Sequence, residues 1–159
     1  MDDPQIREAA PRDFPAVGGL WRKLQEFHLS LGLAFPLDEG SADRWISSFQ
    51  RTLGRFSFLW VVGGREGVIA AFLLARIKQS PAFLGGLQIG EISDLYVDDS
   101  LRGSGIGSKL AETAIKKFQE LGVHSVEVQI QAGNDAGLDF WKKLGFQEDL
   151  TLVRMMLAG

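Results

Sequence analysis

The chain has 159 residues, 45% hydrophobic and 23% charged, with a formal net charge of -3. That is the make-up of an ordinary globular domain, and a single domain spanning 1–159 is expected. The acidic balance argues against a nucleic-acid-binding face, and no apolar run approaches the ~18 residues of a membrane span. With no cysteine and only two histidines, His28 and His124, there are no disulfides, no thiolate nucleophile and no His- or Cys-rich metal cluster. Both histidines flank apolar stretches and read as structural or surface residues. Met1-Asp2-Asp3-Pro4 lacks the basic and apolar regions of a signal peptide, so the cytoplasm is the expected address.

In chain order, Gln5 to Glu8 reads as a short first strand. Val17, Leu20, Trp21, Leu24, Phe27, His28 and Leu31 recur at helical spacing, and Gly32 ends that helix. A second helix is predicted from Ser41, its expected N-cap, to Leu53. Phe56 to Val62 and Val68 to Ile77 are strand-like, joined by the turn signal Gly63-Gly64-Arg65-Glu66-Gly67. Pro81 to Gly86 reads as a loop, and Leu87 to Val97 as a long strand, completing an antiparallel meander. A third helix runs from Ile106 to Leu121, with Gly122 past its end and an exposed Glu112–Lys116 pair. Ser125 to Gln131 alternates as a strand, Leu138 to Leu144 is a fourth helix, and Phe146 to Leu157 reads as a last strand. The expected fold is a mixed α/β domain whose sheet is mostly antiparallel, six- to seven-stranded and flanked by helices.

The chemistry concentrates in Arg102-Gly103-Ser104-Gly105-Ile106-Gly107, between a strand and a helix. Alternate glycines let the backbone approach a ligand, and the helix start offers unpaired N–H groups, an arrangement suited to pyrophosphate. The dinucleotide spacing Gly-x-Gly-x-x-Gly fails, because Ser108 stands where the third glycine is needed. The Gly-x-x-x-x-Gly-Lys-Ser/Thr loop fails as well, since Gly107-Ser108-Lys109 has the wrong order.

The pattern that fits is Arg/Gln-x-x-Gly-x-Gly/Ala after a strand ending in Val, here Leu95-Tyr96-Val97 through Gly107. It resembles the acyl-CoA-binding motif of the GNAT superfamily of N-acetyltransferases. A second block, Asn134 followed by Phe140-Trp141-Lys142-Lys143-Leu144-Gly145-Phe146, resembles that family's Asn … Tyr-x-x-x-Gly-Phe segment.

The resemblance implies transfer of an acetyl group from acetyl-CoA to a primary amine of a small molecule or protein, by direct attack. The backbone of Leu95 and Val97 would pair with the pantetheine arm. Amides from Arg102 through Ser108 (Gly103, Ser104, Gly105, Ile106 and Gly107 among them) would hold the pyrophosphate, and Asn134 the cofactor arm. A possible homodimer is implied too, with Met155-Met156-Leu157 as an interface.

Candidate bases are Glu91, Asp94 and Glu127. Strict alternation places Asp94 on one face with Ile92 and Tyr96, opposite Glu91, Ser93 and Leu95. Where some family members carry a glutamate on the fifth strand, this chain has Gln129, so Asp94 is favoured. The family's tyrosine is replaced by Trp141, whose indole cannot protonate a thiolate; Tyr96, the one tyrosine, is the candidate substitute acid, a packed or substrate-lining residue being its plainer reading, and Trp141 reads as a wall beside the sulfur or as plain core. These departures keep open a non-catalytic acyl-CoA-binding module. Phe35, Asp38 and Glu39, with the Ser80-to-Gln88 segment and Asp94, are the candidate acceptor-binding residues, an acidic solvated turn being the plainer reading of Asp38 and Glu39.

Overall fold

One sheet with helices on both faces carries the whole arrangement. The computed structural model describes residues 5–158; the N-terminal Met1–Pro4, read above for a signal peptide, lies outside them. The elements are β1 (Ile6–Glu8), α1 (Phe14–Ser30), α2 (Ser41–Gln50), β2 (Ser57–Gly63), β3 (Ile69–Gln79), β4 (Gln88–Val97), α3 (Ile106–Leu121), β5 (Ser125–Val128) and α4 (Asp135–Lys143). The strands lie in the order β1-β2-β3-β4-β5, antiparallel except for the parallel β4–β5 pair.

The alternation of β2 and β3 sorts the core into two layers. Phe58, Trp60, Val62, Ala71, Leu73 and Ala75 face α3 and α4, where they meet Ile106, Leu110, Ala114, Phe118 and Trp141. Leu59, Val61, Phe72 and Leu74 face α1 and α2, against Val17, Leu20, Trp21, Leu24 and Phe49. Both faces are covered, which explains why β2 and β3 read as continuous apolar runs. At the sheet edge, Arg7 makes a two-pronged bond to Asp13 (2.8 and 2.9 Å) that ties β1 to the start of α1. It holds the Asp13 carboxyl down at about 2.

Several sequence expectations change. The sheet has five strands, not six or seven. The predicted last strand, Phe146 to Leu157, carries no regular structure, and β5 stops at Val128, short of Gln131. Gly40 rather than Ser41 holds the N-cap position of α2. The Ser41 hydroxyl instead accepts from the Asp38 amide at 2.9 Å. The Glu112–Lys116 pair is absent from the ion pairs among the described residues. No helix among the described residues is long and apolar enough to cross a membrane.

A close packing point fixes α3 against β4. A Cβ built at Gly90 would sit 2.7 Å from the Phe118 ring, closer than real side chains approach. Phe118 is fully buried and has no room to retreat. Gly90→Ala is therefore expected to destabilise the fold by about 1–3 kcal/mol, the usual cost of overpacking, read as a lower midpoint in urea unfolding. Gly107→Ala is the control, because its added Cβ would lie 3.6 Å from its nearest neighbours.

Candidate functional site

The site is built where β4 parts from β5. β5 pairs with β4 only from Ile89↔Ser125 to Ile92↔Val128. β4 then runs five residues further, to Val97, still paired with β3. At the parting point the β3–β4 register slips. Leu74 is opposite Asp94 and Ala75 is opposite Ile92, so Ser93 is an extra residue, a β-bulge, and its hydroxyl donates to the Leu74 carbonyl at 3.2 Å.

The bulge reverses both alternations of the strand. Below it, Ser80 N–H donates to Leu87 C=O on the β3 side, and His124 N–H donates to Gln88 C=O on the β5 side, both at 2.8 Å. Even-numbered residues there point their backbone groups to β5. Above the bulge, Asp98 N–H donates to Ala70 C=O at 2.8 Å, so Asp94, Tyr96 and Asp98 bond to β3. Leu95 and Val97 then turn their N–H groups to the side that β5 has vacated.

The side chains reverse too. Ile92, Leu95 and Val97 pack toward α3, whereas Tyr96 packs toward α1 and Asp94 reaches Trp45 of α2. Strict alternation had put Asp94 with Ile92; the extra residue places them on opposite faces.

The open edge leads into the glycine loop. Gly103 and Gly105 take left-handed conformations, φ 78° and 81°, that disfavour any residue with a Cβ. Gly105 is the N-cap of α3, and the first helical bond is Lys109 N–H to Gly105 C=O. The amides of Ile106, Gly107 and Ser108 are therefore free, and no acidic residue stands in that first turn to compete with an anion. Val97, Leu101, Gly103, Gly105, Ile106, Gly107, Ser108 and Phe140 line the cavity in front of them.

Arg102 and Ser104 are not part of that free set. Their amides donate to Asp99 and Leu101 carbonyls within the loop. The Arg102 side chain turns back to the Val97 carbonyl at 3.1 Å and to Asp99 at 2.7 Å. The Ser104 hydroxyl likewise bonds the Leu101 carbonyl. These two residues shape the loop, and the glycines and the helix start offer the donors.

Beyond the bulge a second cavity lies between the parted strands. Its lining includes Leu24, His28, Asp94, Leu95, Gln129, Asn134 and Trp141. Trp141 is buried and packs edge-on against Phe140 and Phe146, with ring centroids at 4.9 and 5.2 Å. Asn134 caps α4, its Oδ1 accepting from Gly137 N–H at 3.0 Å. Gly137 has to be glycine for this, since a Cβ there would lie 2.3 Å from the Asn134 amide nitrogen.

Asp94 is the one carboxylate in this lining. Burial among aromatic rings pushes its carboxyl above the ordinary range, against the opposing pull of hydrogen bonds from Ser93 and Trp45. The Trp45 indole donates to Asp94 Oδ2 at 3.3 Å and is held by stacking on Trp21 at 5.1 Å.

Other predicted residues lie elsewhere. Glu91 is buried and bound to Arg76 (2.7 Å) and Lys78 (2.9 Å), which hold its carboxyl below the usual value despite burial. Lys78 also pairs with Glu127. Both carboxylates are counter-ions, away from either cavity. Tyr96 packs on the α1–α2 side beneath the Arg102 guanidinium, 5.9 Å from its ring centre. Asp38 is bound to Arg44 and to the Gly40 amide in an exposed turn. Phe35 is exposed under Arg154.

His28 is the residue the sequence reading missed. It lines the second cavity with Asp94, and burial lowers its pKa, keeping the imidazole neutral near pH 7. Its place one turn after Leu24 on the inner stripe of α1 was the available signal.

The sequence profile of the acetyltransferase (GNAT) family matches residues 21–146. The chain belongs to this family. It is an N-acetyltransferase by membership, and the family's use of an acyl-CoA agrees with the open edge and the free amides. Among relatives, a putative phosphinothricin acetyltransferase of Bacillus subtilis is 26% identical over 90% of this chain and 83% of its own length. An uncharacterized N-acetyltransferase of Methanocaldococcus jannaschii is 36% identical, but that match covers 38% of this chain and 27% of the relative.

The tetramutant of BH1408 protein from Bacillus halodurans superposes with a TM-score of 0.82 at 26% identity, covering 96% of this chain and 99% of that one. AAC(6')-Iy, solved in complex with the bisubstrate analog CoA-S-monomethyl-acetylneamine, shares the fold at a TM-score of 0.74 and 14% identity, covering 99% of this chain and 100% of that one.

The Asp94 environment has a measurable consequence. Its carboxyl is expected to titrate above the ordinary carboxylate range of about 4, seen by carbon NMR of labelled aspartate. Trp45→Phe removes the indole donor to the charged form and should raise the value further. An ordinary value in the wild type would contradict the burial argument.

Proposed function

We propose that this GNAT enzyme transfers an acetyl group from acetyl-CoA to a primary amine of a small molecule or a protein, by direct attack in a ternary complex. The observation that carries this is continuity. The unpaired Leu95 and Val97 amides run without interruption into the free amides at the start of α3, so one extended thioester can bond both. The chain's groups fit that ligand. Gly103 and Gly105 leave open backbone with nothing within 4 Å of a built Cβ. Val97 and Phe140 leave a space that Gly107 does not fill.

Each residue has a definable task in this reading. The free amides of Ile106, Gly107 and Ser108 hold the pyrophosphate at the positive end of the α3 dipole. The Leu95 and Val97 amides align the pantetheine arm, and a backbone N–H in the bulge region donates to the carbonyl oxygen as it gains charge. Asn134, with its oxygen spent on the α4 cap, presents its amide N–H groups to the arm. Trp141 walls the sulfur end.

The amine nitrogen bonds to the acyl carbon, the C–S bond breaks, and the electron pair leaves on sulfur. A thiol of pKa about 8.5 needs little help to leave as thiolate, so water can supply its proton without a tyrosine at position 141.

Asp94 removes the ammonium proton before attack. Its raised pKa brings it nearer the working pH and makes it a better base than an ordinary carboxylate. The sign is fixed by its charge: the carboxylate is the competent form, so activity is lost as pH falls through the Asp94 pKa. The relatives bear on the acceptor as well. One is named for phosphinothricin and another, from Pseudomonas aeruginosa and 22% identical over 89% of this chain, for L-methionine sulfoximine and L-methionine sulfone. Small amino-acid-like amines are therefore the first acceptors to try.

The experiment is thiol release from acetyl-CoA across a panel of small amines and amine-bearing peptides. Ser108→Asp should abolish release while the domain stays folded, since Ser108 lies in the first turn of α3 and lines the cavity, where aspartate suits the helix but repels phosphate. Asp94→Asn should lower kcat/KM by about 10²–10⁴-fold and remove the acid limb of the pH profile. If Asp94→Asn keeps that limb and His28→Gln loses it, the neutral imidazole across the cavity is the base instead. CoA binding without release for any amine would favour a non-catalytic binding module.

A further inference from the structure

One strip of the sheet is polar where the rest is packed. Along β3, Leu74 is buried under α1 and α2, and alternation sends Arg76 and Lys78 to that same face. Both run past the cover of the helices, with side chains 45% and 43% exposed. β5 agrees with β3. Val126, Val128 and Ile130 pack toward α3, so Glu127 and Gln129 turn to the α1–α2 side. Gln129 lines the cavity that holds Asp94. The strip therefore starts at Asp94 and Gln129 and continues over Arg76, Glu91, Lys78 and Glu127.

The charges along it are not equally spent. Lys78 bonds Glu91 at 2.9 Å and also pairs with Glu127, so Glu91 keeps a cation whatever Arg76 does. Arg76 has several N–H donors, and its described side-chain bonds amount to one, from Nη2 to Glu91 Oε1 at 2.7 Å. A guanidinium with donors left over is a carboxylate receptor, because its planar fork can take two oxygens at once. It also stands close to Asp94. Burial raises the Asp94 carboxyl, and the Arg76 charge is among the influences pulling it back down.

The spacing matches one kind of ligand. Leu74 stands opposite Asp94, and Arg76 is two residues along the same strand. Such diagonal neighbours on one face lie about 7–8 Å apart. The ammonium and carboxylate of an α-amino acid are about 3 Å apart, so with a hydrogen bond at each end they reach across about 8–9 Å.

We propose that Arg76 reads the carboxylate of an α-amino acid acceptor whose ammonium sits against Asp94. This rests on the acetyl-transfer reading, from which it takes the place of the reacting nitrogen. The zwitterion is matched at both ends. Asp94 is the one carboxylate in the cavity lining, and Arg76 is the cation on the strip with donors to spare. An amine without a carboxylate leaves the guanidinium unanswered, and a diamine sets a second cation beside it. Arg76 thus sets specificity and takes no part in bond making.

The test uses a panel of α-amino acids and, for each, the amine that lacks the carboxylate. Binding is measured by calorimetry on the protein saturated with CoA, so no transfer is required. At least one amino acid should bind about 10–100-fold tighter than its amine, the worth of a hydrogen bond to a charged group. Arg76→Gln should erase that difference with amine binding unchanged, and Arg76→Lys should restore part of it. In acetyl-transfer assays Arg76→Gln should raise KM for the amino acid and leave kcat nearly unchanged, the mark of lost uniform binding. Lys78 still holds Glu91 in this variant, and an unchanged urea midpoint separates lost binding from a lost fold.

Equal binding of acid and amine by the wild type overturns the proposal. So does equal weakening of both by Arg76→Gln, or a panel in which no amino acid binds. Arg76-dependent binding of an amino acid without thiol release would sink the transfer reading alone, and thiol release indifferent to the carboxylate would sink this one alone.

Discussion

Everything at the site depends on one extra residue in one strand. β4 is held to β3 along its whole length, but at Ser93 the ladder takes two residues against one. Pleating has a period of two, so a single insertion exchanges the roles of odd and even residues beyond it. Leu95 and Val97 thereby present their amides outward just where β5 departs. Asp94, through the same slip, moves onto the face where Trp45 and Trp21 form an aromatic wall. Without the bulge, Asp94 would point into the α3-side core with Ile92, and the outward amides would belong to Asp94 and Tyr96. A buried acid and an open backbone edge come from the same irregularity.

The rest of the fold keeps that irregularity in place. Gly90 lets the Phe118 ring lie directly on β4 below the bulge. Arg76 and Lys78 clamp Glu91 from β3, which fixes the register one pair below the slip. Above it, Arg102 reaches back to the Val97 carbonyl, so the end of β4 is tied to the glycine loop that follows. The result is a strand gripped at both ends with its middle opened toward solvent, continuous with the amides at the start of α3. Backbone groups left unpaired at such a place call for a ligand rich in amides and phosphate oxygens.

Much of this was legible in the residues. The glycine pattern marks the helix start, and α3 runs from Ile106 to Leu121 as its apolar stripe predicts. The meander follows from the turn signal at Gly63 to Gly67. Three features escaped for physical reasons. The bulge leaves only a faint sequence mark, two successive polar residues, Ser93 and Asp94, between Ile92 and Leu95, and only pairing with β3 reveals the extra residue. The segment from Phe146 to Leu157 has strand composition, but a strand needs a neighbour, and the chain does not supply one to itself. His28 and Glu91 exchange places in importance. The imidazole on α1 reaches the cavity only through packing, whereas the carboxylate that looked available is bound by two cations across the sheet.

The central claim is that the open edge of β4 and the start of α3 form one continuous binding track for the CoA thioester. Its most direct test is a titration of the isotope-labelled protein with CoA, followed by backbone amide NMR. The account predicts that the amides of Leu95, Val97, Ile106, Gly107 and Ser108 shift and gain protection from exchange. Those of Asp94 and Tyr96, already bonded to β3, should change little. CoA binding that moves Asp94 and Tyr96 but leaves Leu95 and Val97 untouched would contradict the register on which the account rests.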